Sequence, residues 1–291
     1  MARRSVPQLA LLLTTIIWAA TFPATKLALD QVLPFSFLFL RFLFGTLAVG
    51  IVFACFRQRL RWDTATLRTA GIASVFLFIG YATQTVGLRY TTASNSAFLT
   101  ALYVVLVPLF LRRFDRRLWI ALALAVSGLW LLIRPSADMN RGDVYTVVCA
   151  AAFALHIIAV ERFVARGDLP SFSAWQLVMV TGAVAGPAMV EGSGPGAVVF
   201  TPTLLWALVI TGVLATAFAF FVQVWAQRHV PAQRVALIFA LEPALAAWLS
   251  FLVLGERLDV AGWVGSGLIT AGVLIGTTAS APPHPHDPLQ P

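Results

Sequence analysis

Ten apolar runs, each close to the length of a membrane-crossing helix, follow one another along this chain with short connections between them. They fall at about 8–28, 34–56, 68–88, 94–112, 118–134, 143–163, 172–190, 203–227, 232–254 and 260–278. A helix of ~20 apolar residues spans the ~30 Å hydrocarbon core of a bilayer. A water-soluble fold has no place for ten of them. Charge usage agrees: 11% of residues are Asp, Glu, Lys or Arg, against roughly 25% in a soluble domain. The expected fold is therefore all-α and integral to a membrane, with ten transmembrane helices. Arg3 and Arg4 before Leu9 to Ala20 have the look of a signal peptide, but nine further runs make that segment an uncleaved first span.

The formal net charge is +8. A basic balance can serve nucleic acid, but these arginines sit between apolar runs and form no stripe or arm, so no nucleic-acid partner is expected. They read as topology signals instead. With both termini inside, the inner face carries Arg3, Arg4, Arg57, Arg59, Arg61, Arg68, Arg112, Arg113, Arg116, Arg117, Arg162, Arg166, Arg228 and Arg234. The outer face carries Lys26, Arg89, Arg134, Arg141 and Arg257. That excess of basic residues on one side predicts cytoplasmic termini in a cytoplasmic (inner) membrane.

The two halves resemble each other. At an offset of 139 residues, Gln84 aligns with Gln223, Arg89 with Arg228, Ala93 with Ala232, Leu102 with Leu241 and Leu106 with Leu245. After a short insertion Trp119 aligns with Trp263, and Gly128 with Gly272. Five spans per half means that the second copy enters the membrane upside down. The expected organisation is two inverted five-helix repeats, 8–134 and 143–278, with a disordered tail at 279–291. Inverted repeats place a solute site near the midplane, between the halves.

Several segments match one family. The run Gly87-Leu-Arg-Tyr-Thr-Thr-Ala-Ser-Asn-Ser-Ala-Phe-Leu resembles the start of the fourth span of EamA-type permeases of the drug/metabolite transporter superfamily. Leu241-Glu242-Pro243, followed by Leu254-Gly255-Glu256-Arg257-Leu258, is similar to the ninth-span pattern. The segment from Trp18 to Lys26 resembles the first span, and Arg41-Phe42 the second. The resemblance covers about 8–278. It implies that spans one, three, four, six, eight and nine surround a cavity, with two and seven outside them and five and ten at the edge. It also implies export of amino acids, metabolites or toxic organic compounds, although some members import. The first half departs from the pattern, because Tyr103-Val104 stands where the second half has Glu242-Pro243.

Ionisable and polar groups inside spans are costly and face protein or a water-filled cavity. Glu242 either takes a proton or a cationic group in the cavity, or caps the backbone groups freed by Pro243 or pairs with an arginine in the bundle. Arg41 binds an anionic substrate or lipid headgroup, or it snorkels or forms a structural pair. Lys26 gates the cavity or anchors its helix. Gln84 and Gln223 read a solute or bond helix to helix. Trp18 and Thr21 on span one, Tyr81 and Gln84 on span three, and Asn95, Leu99 and Tyr103 on span four would form apolar walls with a few directing polar groups. His156 is a proton relay or a packing donor. Glu161 and Arg162 read as a solvated pair. Gly182/Gly186 and Gly272/Gly276 give faces for close helix contact, whereas Gly45 and Gly50 add little. Pro108, Pro187 and Pro243 mark kinks or helix ends. Cys55 and Cys149 read as small buried residues, not as a disulfide or metal pair.

No cofactor or metal is expected. His284 and His286 fall in the proline-rich tail and read as disordered chain. The glycine-rich stretch at 192–196 lacks the lysine of a phosphate-binding loop, and no nucleotide-binding domain is recognisable. The best reading is a secondary transporter of small organic metabolites such as amino acids or amphipathic compounds, an exporter working by alternating access. Its partners are the solute, the bilayer and a coupling proton. The alternatives are an intramembrane enzyme and a channel or non-transporting scaffold. No His-Glu-x-x-His helix is present, and Val264-Gly265-Ser266-Gly267 lacks the first glycine of a rhomboid-like serine motif. No repeated filter or charged ring suggests a channel.

Overall fold

A computed structural model describes residues 2–91, 93–112, 115–133, 140–164, 168–191, 198–254 and 259–278. The glycine-rich loop, the tail, and Arg113, Arg134, Arg166 and Arg257 lie outside the described residues, as do the side chains of Arg3, Arg4 and Asn95. The described residues are helical, with no strand among them. In order they form α1 (Ala2–Ala19), α2 (Thr21–Leu29), α3 (Pro34–Cys55), α4 (Thr64–Gly87), α5 (Ala93–Ala101), α6 (Tyr103–Phe110), α7 (Arg116–Ile133), α8 (Arg141–Val164), α9 (Leu169–Val190) and α10 (Pro202–Leu208). A π-helical segment (Val209–Phe218) runs into α11 (Ala219–Ala226), followed by α12 (Ala232–Phe239), α13 (Glu242–Leu254) and α14 (Val260–Thr278).

Six of these stretches are long and apolar enough to cross a membrane: Val6–Leu29, Pro34–Cys55, Thr64–Gly87, Arg141–Phe163, Leu169–Val190 and Pro202–Ala226. Ser96–Phe110 and Val260–Gly276 are shorter apolar helices. Large apolar side chains such as Leu47, Ile51, Trp130 and Leu274 stand exposed on the outside. In water so much apolar surface would drive aggregation; in lipid it is the solvated face.

The helices start where the chain supplies acceptors for their free amides. Asp63 Oδ1 accepts from the Thr66 amide at 2.9 Å, Asp168 Oδ2 from Ser171 at 3.0 Å and Thr201 Oγ1 from Leu204 at 3.2 Å. Two caps come from far along the chain. Glu191 Oε2 accepts from the Phe35 and Ser36 amides at 2.9 and 3.2 Å, closing the start of α3. Glu161 Oε1 accepts from the Ala232 amide at 2.9 Å, closing the start of α12. Glu161 is thus a helix cap and not half of a solvated pair; Arg162 alone is exposed.

Three expected spans are interrupted near their middles. The first breaks at Ala20, the fourth at Leu102 and the ninth at Ala240 and Leu241. Pro23 and Pro243 have no amide to return to the turn before them, which accounts for the first and ninth. Leu102 and Leu241 are the pair aligned by the 139-residue offset, so the fourth and ninth spans break at matching places. The fourth does so without a proline. Pro108 and Pro187 lie in the last turns of α6 and α9.

Packing pairs helices from opposite halves. α14 runs antiparallel along α7. A Cβ at Gly128 would sit 2.5 Å from the Gly265 carbonyl oxygen, and one at Gly272 2.5 Å from that of Ala121. Gly128 and Gly272 are the aligned pair, so these two contacts exchange under the repeat. α3 packs on α9, where the Thr46 and Thr181 hydroxyls meet at 2.8 Å. The small-residue expectations divide. Gly272 and Gly276 are in close contact, whereas Gly182 and Gly186 have nothing within 4 Å of an added Cβ. Gly45, expected to add little, lies against the π segment: its Cβ would meet Thr216 Cγ2 at 2.8 Å and the Gly212 carbonyl oxygen at 3.0 Å. Cys149 is buried as expected, but Cys55, the last residue of α3, is exposed.

Candidate functional site

The helices surround a cavity of about 50 Å³, narrower than the usual small-molecule site. Its wall takes Trp18 from α1, Thr21 and Phe22 from α2, Leu77, Tyr81 and Gln84 from α4, and Thr100 and Tyr103 from α5 and α6. The later helices add Phe153, His156 and Ile157 from α8, Phe220 and Gln223 from α11, Phe239 from α12 and Glu242 from α13. None of these residues belongs to α3, α7, α9 or α14.

Aromatic rings form the apolar part. Trp18 meets Phe239 and Phe220, with ring centroids 4.8 and 5.4 Å apart. Tyr81 meets Phe153 at 5.2 Å and Phe220 at 6.1 Å, both edge to face. Such pairs prefer this tilted geometry because each ring has a negative face and a positive edge. Tyr81 and Phe220 are related by the 139-residue offset, so matching positions of the two halves meet here. Tyr103 and Glu242, also related by that offset, line the same cavity.

Two polar groups brace the wall from behind. Arg41 is 2% exposed and does not line the cavity. Its Nε donates to Thr216 Oγ1 and its Nη2 to the Tyr81 hydroxyl, each at 3.1 Å. Its guanidinium also lies over the Tyr81 ring, 4.3 Å from the centroid. The π segment makes this possible. Gly212 lets α3 approach, since a Cβ there would fall 2.8 Å from the Arg41 carbonyl oxygen. Thr216 bonds back to the Thr211 carbonyl at 2.6 Å, and the Ala215 carbonyl accepts from Trp18 Nε1 at 2.8 Å. On the other side, His156 Nε2 donates to Gln176 Oε1 at 3.2 Å.

The amides are also engaged. Gln84 Nε2 donates to Thr100 Oγ1 at 3.2 Å. Gln223 Nε2 donates to Gln227 Oε1 at 2.9 Å, and Gln227 Nε2 to the Ile157 carbonyl at 2.8 Å.

Of the residues singled out in the sequence, Trp18, Thr21, Tyr81, Gln84, Tyr103, His156, Gln223 and Glu242 come together in this wall. Leu99 does not line it and packs on the neighbouring hydrophobic core. Arg41 stands behind Tyr81. Lys26 is exposed and donates from Nζ to the Leu88 carbonyl at 3.4 Å, at the end of α4, where a cation suits the helix dipole. The side chain of Asn95 is outside the described residues. The sequence reading missed Phe22, Leu77, Thr100, Phe153, Ile157, Phe220 and Phe239. Phe220 was within reach, since the offset that pairs the two glutamines also pairs it with Tyr81.

The EamA-like transporter family model matches residues 6–134 and again 140–278. An uncharacterized transporter of Archaeoglobus fulgidus is 34% identical over 284 residues, covering 94% of this chain and 86% of that protein. The uncharacterized transporter YoaV of Bacillus subtilis is 21% identical, covering 92% and 96%. The threonine/homoserine exporter RhtA of Salmonella typhimurium is 28% identical over 159 residues, covering 48% of this chain and 47% of its own. A crystal structure with 19% sequence identity superposes with a TM-score of 0.78 over 95% of this chain and 100% of that one, which shows a shared fold. These relatives are transporters, not enzymes, and the chain belongs to the EamA-like transporter family.

Proposed function

We propose that this multi-pass membrane protein is a secondary transporter that exports small organic metabolites, such as amino acids or amphipathic compounds, by alternating access. The observation that carries the proposal is a cavity walled by offset-related residues of both halves: Tyr81 and Phe220, Gln84 and Gln223, Tyr103 and Glu242. A site built equally from two bundles opens to either side when one bundle rocks against the other.

In this reading the chain crosses the inner membrane ten times, with both termini in the cytoplasm. The repeats 8–134 and 143–278 are inserted in opposite senses. The exchanging contacts of Gly128 with Gly265 and Gly272 with Ala121 support this. The direction of transport follows the likeness to RhtA over about half of the chain. Glu242 carries the coupling proton, because it is the acidic residue among the described residues of the cavity wall. The breaks at Leu102 and at Ala240 and Leu241 let half-helices tilt around the site.

Counterflow in proteoliposomes tests the function: exchange of labelled for unlabelled solute supports a carrier, whereas conductance without exchange supports a pore. Single cysteines at positions 84 and 223, in a background without Cys55 and Cys149, test the mechanism. Each should react with reagents from opposite sides under opposite solute gradients. If neither is ever reachable from either side, there is no alternating cavity.

A further inference from the structure

We infer that the cavity selects a protonated amine on an apolar body, with Gln227 as the residue that sets this selectivity although it lies outside the wall. The inference rests on the transporter reading and narrows its substrate from amino acids or amphipathic compounds to amphipathic amines without a carboxylate.

A carboxamide usually presents either end, because its oxygen and nitrogen exchange by a flip. Here a chain of bonds fixes the choice. The Ile157 carbonyl can only accept, so Gln227 must turn its NH₂ towards it. That leaves Gln227 Oε1 facing Gln223, which must answer with its own NH₂. Gln223 Oε1 is then the end left over. It is buried, and it has no hydrogen-bonding partner among the described residues, in a residue of the cavity wall. A buried acceptor without a donor is costly, and a donor on the substrate removes that cost.

Other groups of the wall make the same demand. Glu242 is a second acceptor. Trp18, Phe153, Phe220 and Phe239 put aromatic rings in the wall, and ring faces attract cations. Among the described residues, no lysine or arginine lines the cavity. Arg41, the nearby cation, is committed to Thr216 and Tyr81 and stands behind the Tyr81 ring. An ammonium group with an apolar body meets every one of these features. A carboxylate would face Glu242 and a carbonyl oxygen with no cation in the wall.

The test uses three probes of matched shape on the purified full-length protein in nanodiscs: phenethylamine (cationic at neutral pH), 2-phenylethanol (neutral) and 3-phenylpropionate (anionic). Titration calorimetry should show phenethylamine binding most tightly and 3-phenylpropionate least. Gln227→Leu should lower phenethylamine affinity roughly tenfold, the worth of one hydrogen bond to a charged group, while 2-phenylethanol affinity stays the same. A general packing defect would weaken both. Gln223→Leu, which removes the acceptor itself, should shrink the amine-to-alcohol ratio in the same way and serves if Gln227→Leu fails to fold. Tighter binding of 3-phenylpropionate, no binding of phenethylamine, or an unchanged ratio in the variants overturns the assignment. Counterflow of any solute, measured separately, would leave the transporter reading standing in that event.

Discussion

Tyr103 and Glu242 occupy positions matched by the 139-residue offset, and both line the cavity wall. A departure from repeat symmetry has thus placed one acid, with a phenol beside it, where two like residues would otherwise face each other. Two carboxyl groups there would repel when both were ionised. One carboxyl with a hydroxyl neighbour can gain and lose a proton without that conflict.

Glu242→Gln keeps the shape of the side chain and removes its charge. Coupled transport should fall roughly 10- to 100-fold, the worth of a charge-assisted hydrogen bond, while the protein still folds. Tyr103→Phe removes only a neutral donor and should cost about fivefold. Initial rates in proteoliposomes under an imposed pH gradient measure both. Equal losses for the two substitutions would contradict a special role for the carboxyl.

Arg41 gives a prediction about stability. Its forked guanidinium serves Thr216 and Tyr81 together and stacks on a ring, which the point charge of lysine cannot do. Arg41→Lys therefore keeps a buried charge and loses its bonds. Arg41→Met fills similar space and has no charge to bury, and an apolar replacement of a buried ion is often tolerated. The lysine variant should melt below the methionine variant, by a margin of about 2 kcal/mol. Thermal unfolding in detergent, followed by loss of the monodisperse peak, measures the order. The reverse order would mean that charge, not geometry, holds this site.

The all-helical, membrane-spanning character was legible because lipid imposes it. Apolar runs of membrane length and the offset of 139 residues are linear patterns. They led to eight residues of the wall. What was not legible depends on contacts between distant segments. Phe153 and Phe239 look like any apolar residue of a span until tertiary packing turns them inward. Glu161 seemed to belong with Arg162, its neighbour in sequence, yet its partner is the amide of Ala232. The π segment left no periodic trace. Gly182 and Gly186 show the opposite error: spacing for close contact without a helix to meet.

The α7–α14 seam should be the least tolerant of added bulk. At Gly128 a Cβ would lie 2.5 Å from the Gly265 carbonyl oxygen and 2.8 Å from the Ile269 amide nitrogen. Both are backbone atoms and cannot turn aside. Gly128→Val should destabilise by about 1–3 kcal/mol or more through overpacking. Gly182→Val, on an open face, should lie within about 1 kcal/mol of the parent. Comparing the two melting temperatures separates a packing effect from a general intolerance of valine at glycine sites.

Asp63 gives a pH-dependent prediction outside the membrane-spanning segments. Its carboxylate caps α4 by accepting from the Thr66 amide and hydroxyl, each at 2.9 Å. The amide bond, and after it the hydroxyl bond, hold the Asp63 pKa below the usual value. A lowered folded-state pKa fixes the sign. The cap's contribution is fully present above the ordinary aspartate pKa of about 3.9. It is lost as the pH falls through the lower folded-state value. The carboxamide of an Asp63→Asn variant caps almost as well and does not titrate. Deuterium exchange at Thr66, corrected for intrinsic rates, should therefore show protection that collapses in acid for the parent protein alone. Protection that falls equally in both proteins would mean that acid acts on α4 by another route.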